Sequence, residues 1–292
     1  MPQPAVSPVA KPIIVTDPIA IREQVRAAQA RGRRVGFVPT MGALHEGHTS
    51  LVDRAACECD DVAVSIFVNP TQFGPSEDFS RYPRSLESDI AAVAERGARW
   101  VFAPEAESIY PPGWATRVEV EGPARRFEGE IRPGHFSGVA TVVCRLLLAV
   151  PADEAYFGAK DWQQTLVIRR MVRDLGVPTG ITVCPTVREP DGLAMSSRNA
   201  YLTAAERSRA CGLFESLRLA EQGWLAGETV AVIERAMAHH LAERGVTVDY
   251  AAIVDRDTLD PLTDETSPAV ALVAGRLGMT RLIDNILLPL RR

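Results

Sequence analysis

The sequence predicts an α/β protein built around a parallel β-sheet, and two stretches of the chain carry this prediction. Residues 35–48 read VGFVPTMGALHEGH, where an apolar run leads through a turn at Pro39, Thr40 and Gly42 into residues at helical spacing. Residues 62–68 read VAVSIFV, and a run that is apolar nearly throughout is typical of an interior strand covered on both faces. A helix between two such strands makes a β-α-β unit. With 46% hydrophobic residues, the 292-residue chain can bury one large core or two smaller ones.

Charge and composition exclude several classes of function. A formal net charge of −5 argues against a nucleic-acid-binding surface over the whole molecule. The chain has no apolar run long enough to cross a membrane, and its N-terminal MPQPAVSPVAKP lacks the apolar centre of a signal peptide. The five cysteines are scattered and odd in number, which is typical of reduced thiols. We therefore expect a cytoplasmic protein.

The helix start at residues 45–48 carries two histidines that point to phosphate chemistry. His45 and His48 are three residues apart and therefore share one helix face. A helix N-terminus attracts phosphate through its backbone N–H groups and its dipole, and two imidazoles there can donate hydrogen bonds to the same phosphoryl group. Such donors would stabilise the charge that develops during phosphoryl transfer.

A zinc site is the alternative for the same two histidines, because Cys57 and Cys59 follow closely. Cys-x-Cys spacing on a predicted helix, however, points the two sulfurs about 200° apart. Structural zinc sites usually use Cys-x(2–4)-Cys. The spacing therefore favours phosphate over zinc.

Residues 69–84 follow the apolar run 62–68 and are too polar and too rich in Pro and Gly to be anything but a long loop. In open α/β sheets, ligands bind at the carboxyl edge where such loops lie. The amides of Asn69 and Gln72 can each donate and accept, which suits a substrate with hydroxyls and a carboxylate. Simple turn chemistry at Asn69-Pro70 is the alternative.

Two later segments also carry polar groups suited to phosphate. Lys160 lies where a strand at 155–158 is predicted to meet a helix, and Gln164 follows one helical turn on. An ordinary surface pair between Lys160 and Asp161 is the alternative. Residues 196–199 read Ser-Ser-Arg-Asn, whose hydroxyls and guanidinium suit triphosphate oxygens, although the motif alone is a weak signal.

Residues 125–136 alternate basic and acidic side chains with glycines, which is consistent with a loop or lid over a charged ligand. A solvated surface loop would have a similar composition. Elsewhere, Asp17-Pro18 has the pattern of an N-cap followed by proline at the first helical position. We expect further helices at 85–95 and 138–150 and further strands at 100–103, 155–158 and 182–185.

Taken in order, these motifs resemble those of the pantothenate synthetases, the pantoate–β-alanine ligases of the nucleotidyltransferase superfamily. The resemblance covers almost the whole chain through PTMGALHEGH, SIFVNPTQF, RPGHFSGVATVV, YFGAKDWQQ, PTVREPDGLAMSSRN and GRLGMTRLIDN. It implies a Rossmann-like, doubly wound parallel sheet in residues 1–187 that binds nucleotide and pantoate. A smaller α+β domain, residues 188–292, would close over the ATP site. In that domain we expect a capping box at Thr203 and Glu206, a helix at 229–244 and strands at 246–255, 270–275 and 281–288.

The resemblance also implies an activity. ATP would drive the condensation of (R)-pantoate with β-alanine to give pantothenate, AMP and pyrophosphate through a pantoyl adenylate. Mg²⁺ would be held largely by phosphate oxygens and water, with Asp89 as an outer partner. A homodimer that binds neither nucleic acid nor membrane is the family expectation.

The same resemblance assigns roles to individual residues. The catalytic groups would be His45, His48, Lys160 and Arg198, with His48 as a proton donor. Pantoate and β-alanine would be bound by Asn69, Gln72 and Gln164. The residues implied to bind ATP are Met41, Gly42, Ala43, Leu44, His45, Glu46, Gly47, His48, Gly158, Ala159, Lys160, Asp161, Val187, Met195, Ser196, Ser197 and Arg198.

Two positions depart from the family pattern. Ala159 stands where an acidic or amide residue is usual, and Trp162 where tyrosine is frequent. Neither position must perform chemistry, so we interpret both as changes in ribose or packing contacts.

Three other classes of protein compete with this interpretation. A nucleotidylyltransferase that transfers AMP to a small phosphorylated acceptor would be expected to bring more cationic residues than Asn69, Gln72 and Gln164 supply. A class I aminoacyl-tRNA synthetase would need an anticodon-binding domain, for which this acidic chain lacks room. A non-catalytic nucleotide sensor would keep the phosphate residues and lose the substrate ones.

Overall fold

The computed structural model describes residues 11–74, 77–264 and 266–291. The chain divides into two compact units, described separately below. The first unit falls within the ranges Met1–Glu119, Ser137–Phe157 and Met171–Cys184, and the second within Val120–Phe136, Gly158–Arg170 and Pro185–Arg292. Three segments that the sequence analysis assigns to the first domain, 120–136, 158–170 and 185–187, therefore belong to the second unit. The predicted closure over ATP stays a prediction.

The first unit is built on a six-stranded sheet in the order β1-β4-β3-β2-β5-β6. The pairs β1·β4, β4·β3, β3·β2 and β2·β5 are parallel. From β2 the chain adds β3 and β4 on one side and then β5 and β6 on the other. The order therefore reverses between β2 and β5, which is the switch point of a doubly wound sheet and the usual place for a ligand. The strands are β1 Ile13–Val15, β2 Val35–Thr40, β3 Asp61–Ile66, β4 Trp100–Phe102, β5 Glu154–Gly158 and β6 Gly180–Cys184.

Ten helices lie in the described residues. The first begins as predicted, since the Asp17 side chain accepts hydrogen bonds from the backbone N–H groups of Ile19 and Ala20 and Pro18 follows it. One core cluster of the first unit joins α2 to β3 through Val52, Ala55 and Val64. The helices are α1 Pro18–Gln29, α2 Glu46–Glu58, α3 Leu86–Ala94, α4 Ala106–Ile109, α5 Glu128–Ile131, α6 His135–Ala149, α7 Trp162–Leu175, α8 Ala204–Ala210, α9 Gly212–Leu225 and α10 Val230–Glu243. None of these helices combines the length and apolar character needed to cross a bilayer.

The second unit has its own antiparallel sheet, in the order β7-β8-β9. Its core packs Leu217 and Trp224 of α9 and Met237 of α10 against the strands. The predicted capping box is confirmed, because Thr203 and Glu206 each bond to the other's backbone N–H group. The strands are β7 Thr247–Asp255, β8 Ala269–Leu277 and β9 Thr280–Leu287. The prediction of a parallel α/β sheet with a smaller α+β part is confirmed.

Several local predictions were wrong in detail. Pro39 and Thr40, expected in the turn, continue β2 to its end. The helix expected from 138 begins one turn earlier, at His135. The stretch 125–136, expected to be a loop, contains the single-turn helix α5. The short edge strand β1 was not predicted at all.

Candidate active site

The turn between β2 and α2 has a backbone conformation that few residues adopt. Gly42 and Ala43 both have positive φ, at 79° and 51°. Thr40 anchors the turn, because its hydroxyl donates to the Ser65 carbonyl and accepts from the Gly42 N–H group. A Cβ atom at Gly42 would lie 2.9 Å from an Asp89 carboxylate oxygen, so the close approach requires glycine.

The carboxylate of Asp89 holds this turn in place. Its two oxygens accept hydrogen bonds from the backbone N–H groups of Ala43, at 2.9 Å, and Leu44, at 2.8 Å. The Ser85 hydroxyl donates to the same carboxylate at 3.3 Å. Only 2% of Asp89 is exposed. The buried anion satisfies backbone donors that lie directly before the helix, and a charge-assisted bond of this kind is stronger than a neutral one.

The two histidines cap the start of α2 reciprocally. His45 Nδ1 accepts a hydrogen bond from the Gly47 N–H group at 3.2 Å, and His48 Nδ1 accepts one from the His45 N–H group at 3.3 Å. The ring centroids are 4.0 Å apart. Because Nδ1 is the acceptor in each cap, the neutral imidazole carries its proton on Nε2. Each ring can then donate through Nε2 to a phosphoryl group.

The zinc alternative finds no ligand set in the part of the chain that the structure describes, where no three His, Cys, Asp or Glu side chains are grouped to hold a metal ion. Cys57 is exposed, and the Cys59 thiol contacts the Tyr156 hydroxyl at 3.4 Å. Burial, as the largest cause, raises the pKa of the Cys59 thiol. A raised pKa disfavours the thiolate that binds zinc.

Asn69 and Gln72 lie in a buried network of the first unit. The Asn69 amide nitrogen donates to Gln72 Oε1 at 3.1 Å and to the Gly138 carbonyl at 3.2 Å. Its oxygen accepts from the Tyr110 hydroxyl at 2.7 Å. These bonds fix the Gln72 amide so that its nitrogen lies 2.9 Å from the Met41 sulfur. The structure thus places Gln72, which was predicted to bind pantoate, in contact with Met41, which was predicted to bind ATP. Asn69 supports this contact by holding the Gln72 amide.

Gly138 is a residue that the sequence analysis missed. A Cβ atom there would lie 2.4 Å from the Thr71 carbonyl oxygen and 2.7 Å from the Gln72 Cα atom. The start of α6 therefore packs against the 3₁₀ turn Pro70–Gln72, and only glycine permits this distance. The available signal was a glycine inside an otherwise apolar helical pattern, which often marks a close approach.

In the second unit, Lys160 and Gln164 line one pocket. Lys160 lies in the 3₁₀ turn Ala159–Asp161 that precedes α7, and its side chain is 20% exposed. The alternative surface pair exists only as a long contact, with Nζ 3.8 Å from the Asp161 carboxylate. Trp162, one of the two departures from the family pattern, is buried and donates to the Arg256 carbonyl at 2.8 Å.

Residues of the predicted lid line the same pocket. Arg132 and His135 contribute to it, and their side chains contact each other at 2.9 Å. Glu128, at the start of α5, anchors the segment because its carboxylate accepts two bonds from the Arg281 guanidinium, at 2.6 and 2.7 Å. Gln163 adds bonds to the backbone of this segment. The structure favours a segment that faces a pocket over a solvated surface loop.

The predicted phosphate residues 196–198 follow a small antiparallel hairpin. Met195 N–H donates to the Val187 carbonyl at 3.0 Å, and Arg188 bridges Ala194. Ser196 then caps the 3₁₀ turn Ser197–Tyr201 through the Arg198 N–H group. The first unit therefore gathers residues 41–48, Asn69, Gln72 and Asp89, and the second unit holds the remaining predicted site residues: Gly158, Ala159, Lys160, Asp161, Gln164, Val187, Met195, Ser196, Ser197 and Arg198.

The chain is therefore an α/β protein with a doubly wound sheet, in which the crossover helix α2 begins with His-x-Gly-His beside the switch point. A helix start in this place is suited to phosphate. Comparison with known proteins narrows this class. The family model described as pantoate-beta-alanine ligase matches residues 13–287, and the chain belongs to that family.

Individual relatives agree with the family model. The chain is 53% identical over 267 residues to the pantothenate synthetase of Thermus thermophilus, covering 90% of this chain and 96% of that protein. It is 52% identical over 271 residues to the pantothenate synthetase of Moorella thermoacetica, covering 92% and 96%.

Solved structures of the family are also similar. A crystal structure of the Thermus thermophilus pantothenate synthetase matches with a TM-score of 0.89 at 51% identity, over 95% of this chain and 100% of that one. A crystal structure of the pantoate-beta-alanine ligase of Francisella tularensis, complexed with beta-gamma ATP and beta-alanine, matches with a TM-score of 0.79 at 36% identity, over 94% and 97%.

Proposed function

We propose that the protein condenses (R)-pantoate with β-alanine at the expense of ATP, giving pantothenate, AMP and pyrophosphate through a pantoyl adenylate. The observation that carries this proposal is the contact between Met41 and Gln72. Met41 belongs to the turn before the His-x-Gly-His helix, and Gln72 carries a neutral amide that suits a hydroxy acid. The contact therefore places the predicted ATP and pantoate sites side by side. The Francisella relative, described with an ATP compound and β-alanine, supports the same substrates.

The first step activates the carboxylate of pantoate, which is a poor electrophile at neutral pH. A carboxylate oxygen attacks the α-phosphorus of ATP, and the bond from that phosphorus to the pyrophosphate oxygen breaks. Negative charge builds on the α-phosphoryl oxygens in the transition state. His45 and His48 donate hydrogen bonds to these oxygens through Nε2, the nitrogen that the caps of α2 leave protonated. The proton-donor role that the family resemblance gives to His48 is this hydrogen bond, and no proton is transferred in the step.

In the second step, the amine of β-alanine attacks the acyl carbon of the adenylate. The bond from that carbon to the phosphate oxygen breaks, AMP leaves, and water takes up the proton that the amine nitrogen loses. Gln72 and Gln164 hold the hydroxyls and the acyl group through their amides. Asn69 orients the Gln72 amide, as its bonds to Gln72 and Gly138 suggest.

In the second unit, Lys160, Ser196, Ser197 and Arg198 bind phosphate oxygens. Lys160 supplies a point charge and Arg198 a planar fork of donors. The nucleotide is also contacted by Gly158, Ala159, Asp161, Val187 and Met195. These assignments rest on the match of the sequence motifs to the family.

ATP enters as its Mg²⁺ complex, in which phosphate oxygens and water hold the ion. The first unit fits an ion that is held by phosphate and water and not by the protein. Both Asp89 oxygens already accept hydrogen bonds from backbone N–H groups, so this carboxylate is occupied by the protein itself. Asp89 would reach the ion only through water. Mg²⁺ supplies neutralisation of the triphosphate charge.

The family resemblance also supports a homodimer in the cytoplasm. All five cysteines are free thiols, which suits a reducing compartment. Sedimentation analysis measures the oligomeric state, and a monomer at micromolar concentration would contradict the homodimer.

Exchange of labelled pyrophosphate into ATP tests the proposed function. We expect exchange only when pantoate is present, because pyrophosphate is released by attack of the pantoate carboxylate. Exchange without pantoate, or exchange that responds only to a phosphorylated acceptor, would favour a nucleotidylyltransferase. Binding of ATP with no exchange under any condition would favour a sensor.

A further inference from the structure

We propose that two consecutive residues of β9, Asp284 and Asn285, position the phosphate-binding segments of the second unit. This inference rests on the proposed function, which gives Lys160 and residues 196–198 their ligands. β9 contacts both 3₁₀ turns that carry these residues, Ala159–Asp161 and Ser197–Tyr201. Neither side chain takes part in a chemical step. Both act by fixing the backbone from which other side chains reach the nucleotide.

Asn285 holds the turn that carries Lys160. Its amide nitrogen donates to the Ala159 carbonyl at 2.9 Å and to the Lys160 carbonyl at 2.7 Å. Only 6% of the residue is exposed. Both amide hydrogens are thus directed at consecutive peptide groups, and two bonds of this geometry fix the direction in which the Lys160 side chain leaves the backbone.

Asp284 holds the hairpin that leads to residues 196–198. Its carboxylate, 2% exposed, accepts bonds from both terminal nitrogens of Arg188, at 2.6 and 3.1 Å. The same guanidinium donates to the Gly192 carbonyl at 3.1 Å, on the far side of the hairpin, and lies 4.2 Å from the Phe214 ring centroid. A bidentate pair that also bonds the backbone defines the orientation of the hairpin.

β9 is a rigid base for both contacts. Asp284 is opposite Val273 and Asn285 opposite Leu272 in the pairing with β8, and both partners are buried in the core. The Asn285 N–H group also donates to the Asp284 carboxylate at 2.8 Å. A site built on a paired strand with locked side chains is held more precisely than one on a loop. One strand therefore sets the positions of two segments distant in sequence.

If Asn285 acts by positioning Lys160, its replacement should matter only while the Lys160 side chain is present. A purely structural role would not depend on Lys160. Asn285→Ala and the isosteric Asn285→Asp, which cannot donate, are each made alone and in a Lys160→Ala background. We measure kcat and KM for ATP in pantoate-dependent exchange, and the affinity for MgATP by calorimetry. Ser216→Ala, which removes a buried hydroxyl that donates to the Leu213 carbonyl in α9, is the matched control for folding.

We expect Asn285→Ala and Asn285→Asp to lower kcat/KM for ATP by about 10-fold in the native background and by less than about 2-fold when Lys160 is already absent. Equal losses in both backgrounds would overturn the proposal, because a structural defect does not depend on Lys160. Full activity of Asn285→Asp would also overturn it. If the unaltered protein shows no exchange, the proposed function fails, and calorimetry on the same proteins still decides whether Asn285 acts through Lys160.

The hairpin contact has a corresponding test. Asp284→Asn keeps the shape of the side chain and removes the charge that Arg188 binds. We expect the loss in ATP affinity to shrink when Arg198 is replaced by alanine, since Asp284 is proposed to act through the segment that carries it. An undiminished loss in the Arg198→Ala background would contradict this half of the proposal.

Discussion

Asp89 accepts a 2.8 Å hydrogen bond from the backbone N–H group of Leu44, the residue before the first histidine of α2. Because the other carboxylate oxygen binds Ala43, a single buried anion fixes the strained turn from which both imidazoles start. We expect Asp89→Asn to lower the rate of adenylation by about 10-fold or more and the stability by about 1–3 kcal/mol, since an amide group presents a donor to a donor.

The matched control for Asp89 is Glu87→Gln, which removes an exposed carboxylate from the same turn of α3. It should leave both rate and stability unchanged. Quenched-flow assays of adenylation measure the rate, and urea denaturation measures the stability. An Asp89→Asn variant with native rate would show that the turn does not need its anchor.

His48→Ala should slow adenylate formation by about 10²- to 10⁴-fold, because it removes the side chain that is proposed to donate to the α-phosphoryl group. The substitution also removes a cap on the His45 N–H group. His48→Asn separates the two effects, since its amide oxygen can still accept that bond. Single-turnover kinetics should show both variants slow, with exposed His239→Ala as the unaffected control. A fast His48→Asn variant would assign the role of His48 to capping alone.

Gln72→Ala should weaken pantoate much more than ATP, because the Gln72 amide is proposed to bind the acid. The KM values for the two substrates, measured separately in the exchange reaction, check this prediction. Asn69→Ala should also raise the KM for pantoate more than that for ATP, since it removes the amide that orients Gln72. An equal rise in KM for both substrates would show that Gln72 does not bind pantoate.

Gly138→Ala should weaken pantoate binding as Gln72→Ala does, although the Gln72 side chain is kept. The new Cβ atom would lie 2.7 Å from the Gln72 Cα atom, so the 3₁₀ turn must shift. We expect the KM for pantoate to rise by about 10-fold or more, because small displacements of positioning groups are costly. Ser137→Ala changes the adjacent residue, whose hydroxyl bonds an exposed Glu119, and should have no effect. A native KM in Gly138→Ala would show that the turn is not constrained by α6.

Stability at low pH should depend on Glu128. Burial alone would raise the pKa of this carboxyl, but hydrogen bonds and charge from Arg281 outweigh it, and the pKa lies below the usual 4.5. A carboxyl with a lowered folded pKa stabilises the protein fully above its unfolded pKa, and this contribution is lost as the pH falls through the folded pKa. The free energy of unfolding should therefore drop below about pH 4.5.

Glu128→Gln should cost about 1–3 kcal/mol at neutral pH, because it removes one of the two carboxylates that pair with the half-buried Arg281 and leaves only Asp249. Its free energy of unfolding should then fall less steeply with acid than that of the native chain. Glu121→Gln, an exposed carboxyl in the same unit, is the control. Parallel pH profiles for the native chain and Glu128→Gln would contradict the assigned pKa.

Sequence patterns predicted the elements whose signals are local. The apolar run before Thr40, the Asp17-Pro18 cap and the Thr203–Glu206 capping box all depend on residues within a few positions of each other, and each is found in the structure. Three-residue β1 escaped prediction because Ile13–Val15 is too short to show a period, and its place depends on pairing with β4.

The parts of the site that could not be predicted depend on contacts between distant residues. Asp89 lies 45 positions from Leu44, and Asn285 lies 125 positions from Lys160. No spacing rule links such pairs, because the sheet topology brings them together. The start of α6 was misplaced for the same reason, since the packing of Gly138 on Thr71 is a tertiary effect that offsets the low helix propensity of glycine.

The central claim is that an oxygen of the pantoate carboxylate attacks the α-phosphorus of ATP. Pantoate labelled with ¹⁸O in its carboxylate tests it directly by mass spectrometry of the products after reaction with β-alanine. The account predicts AMP that carries one ¹⁸O atom, because the acyl carbon–oxygen bond breaks in the second step. AMP without label, or label in inorganic phosphate, would contradict it.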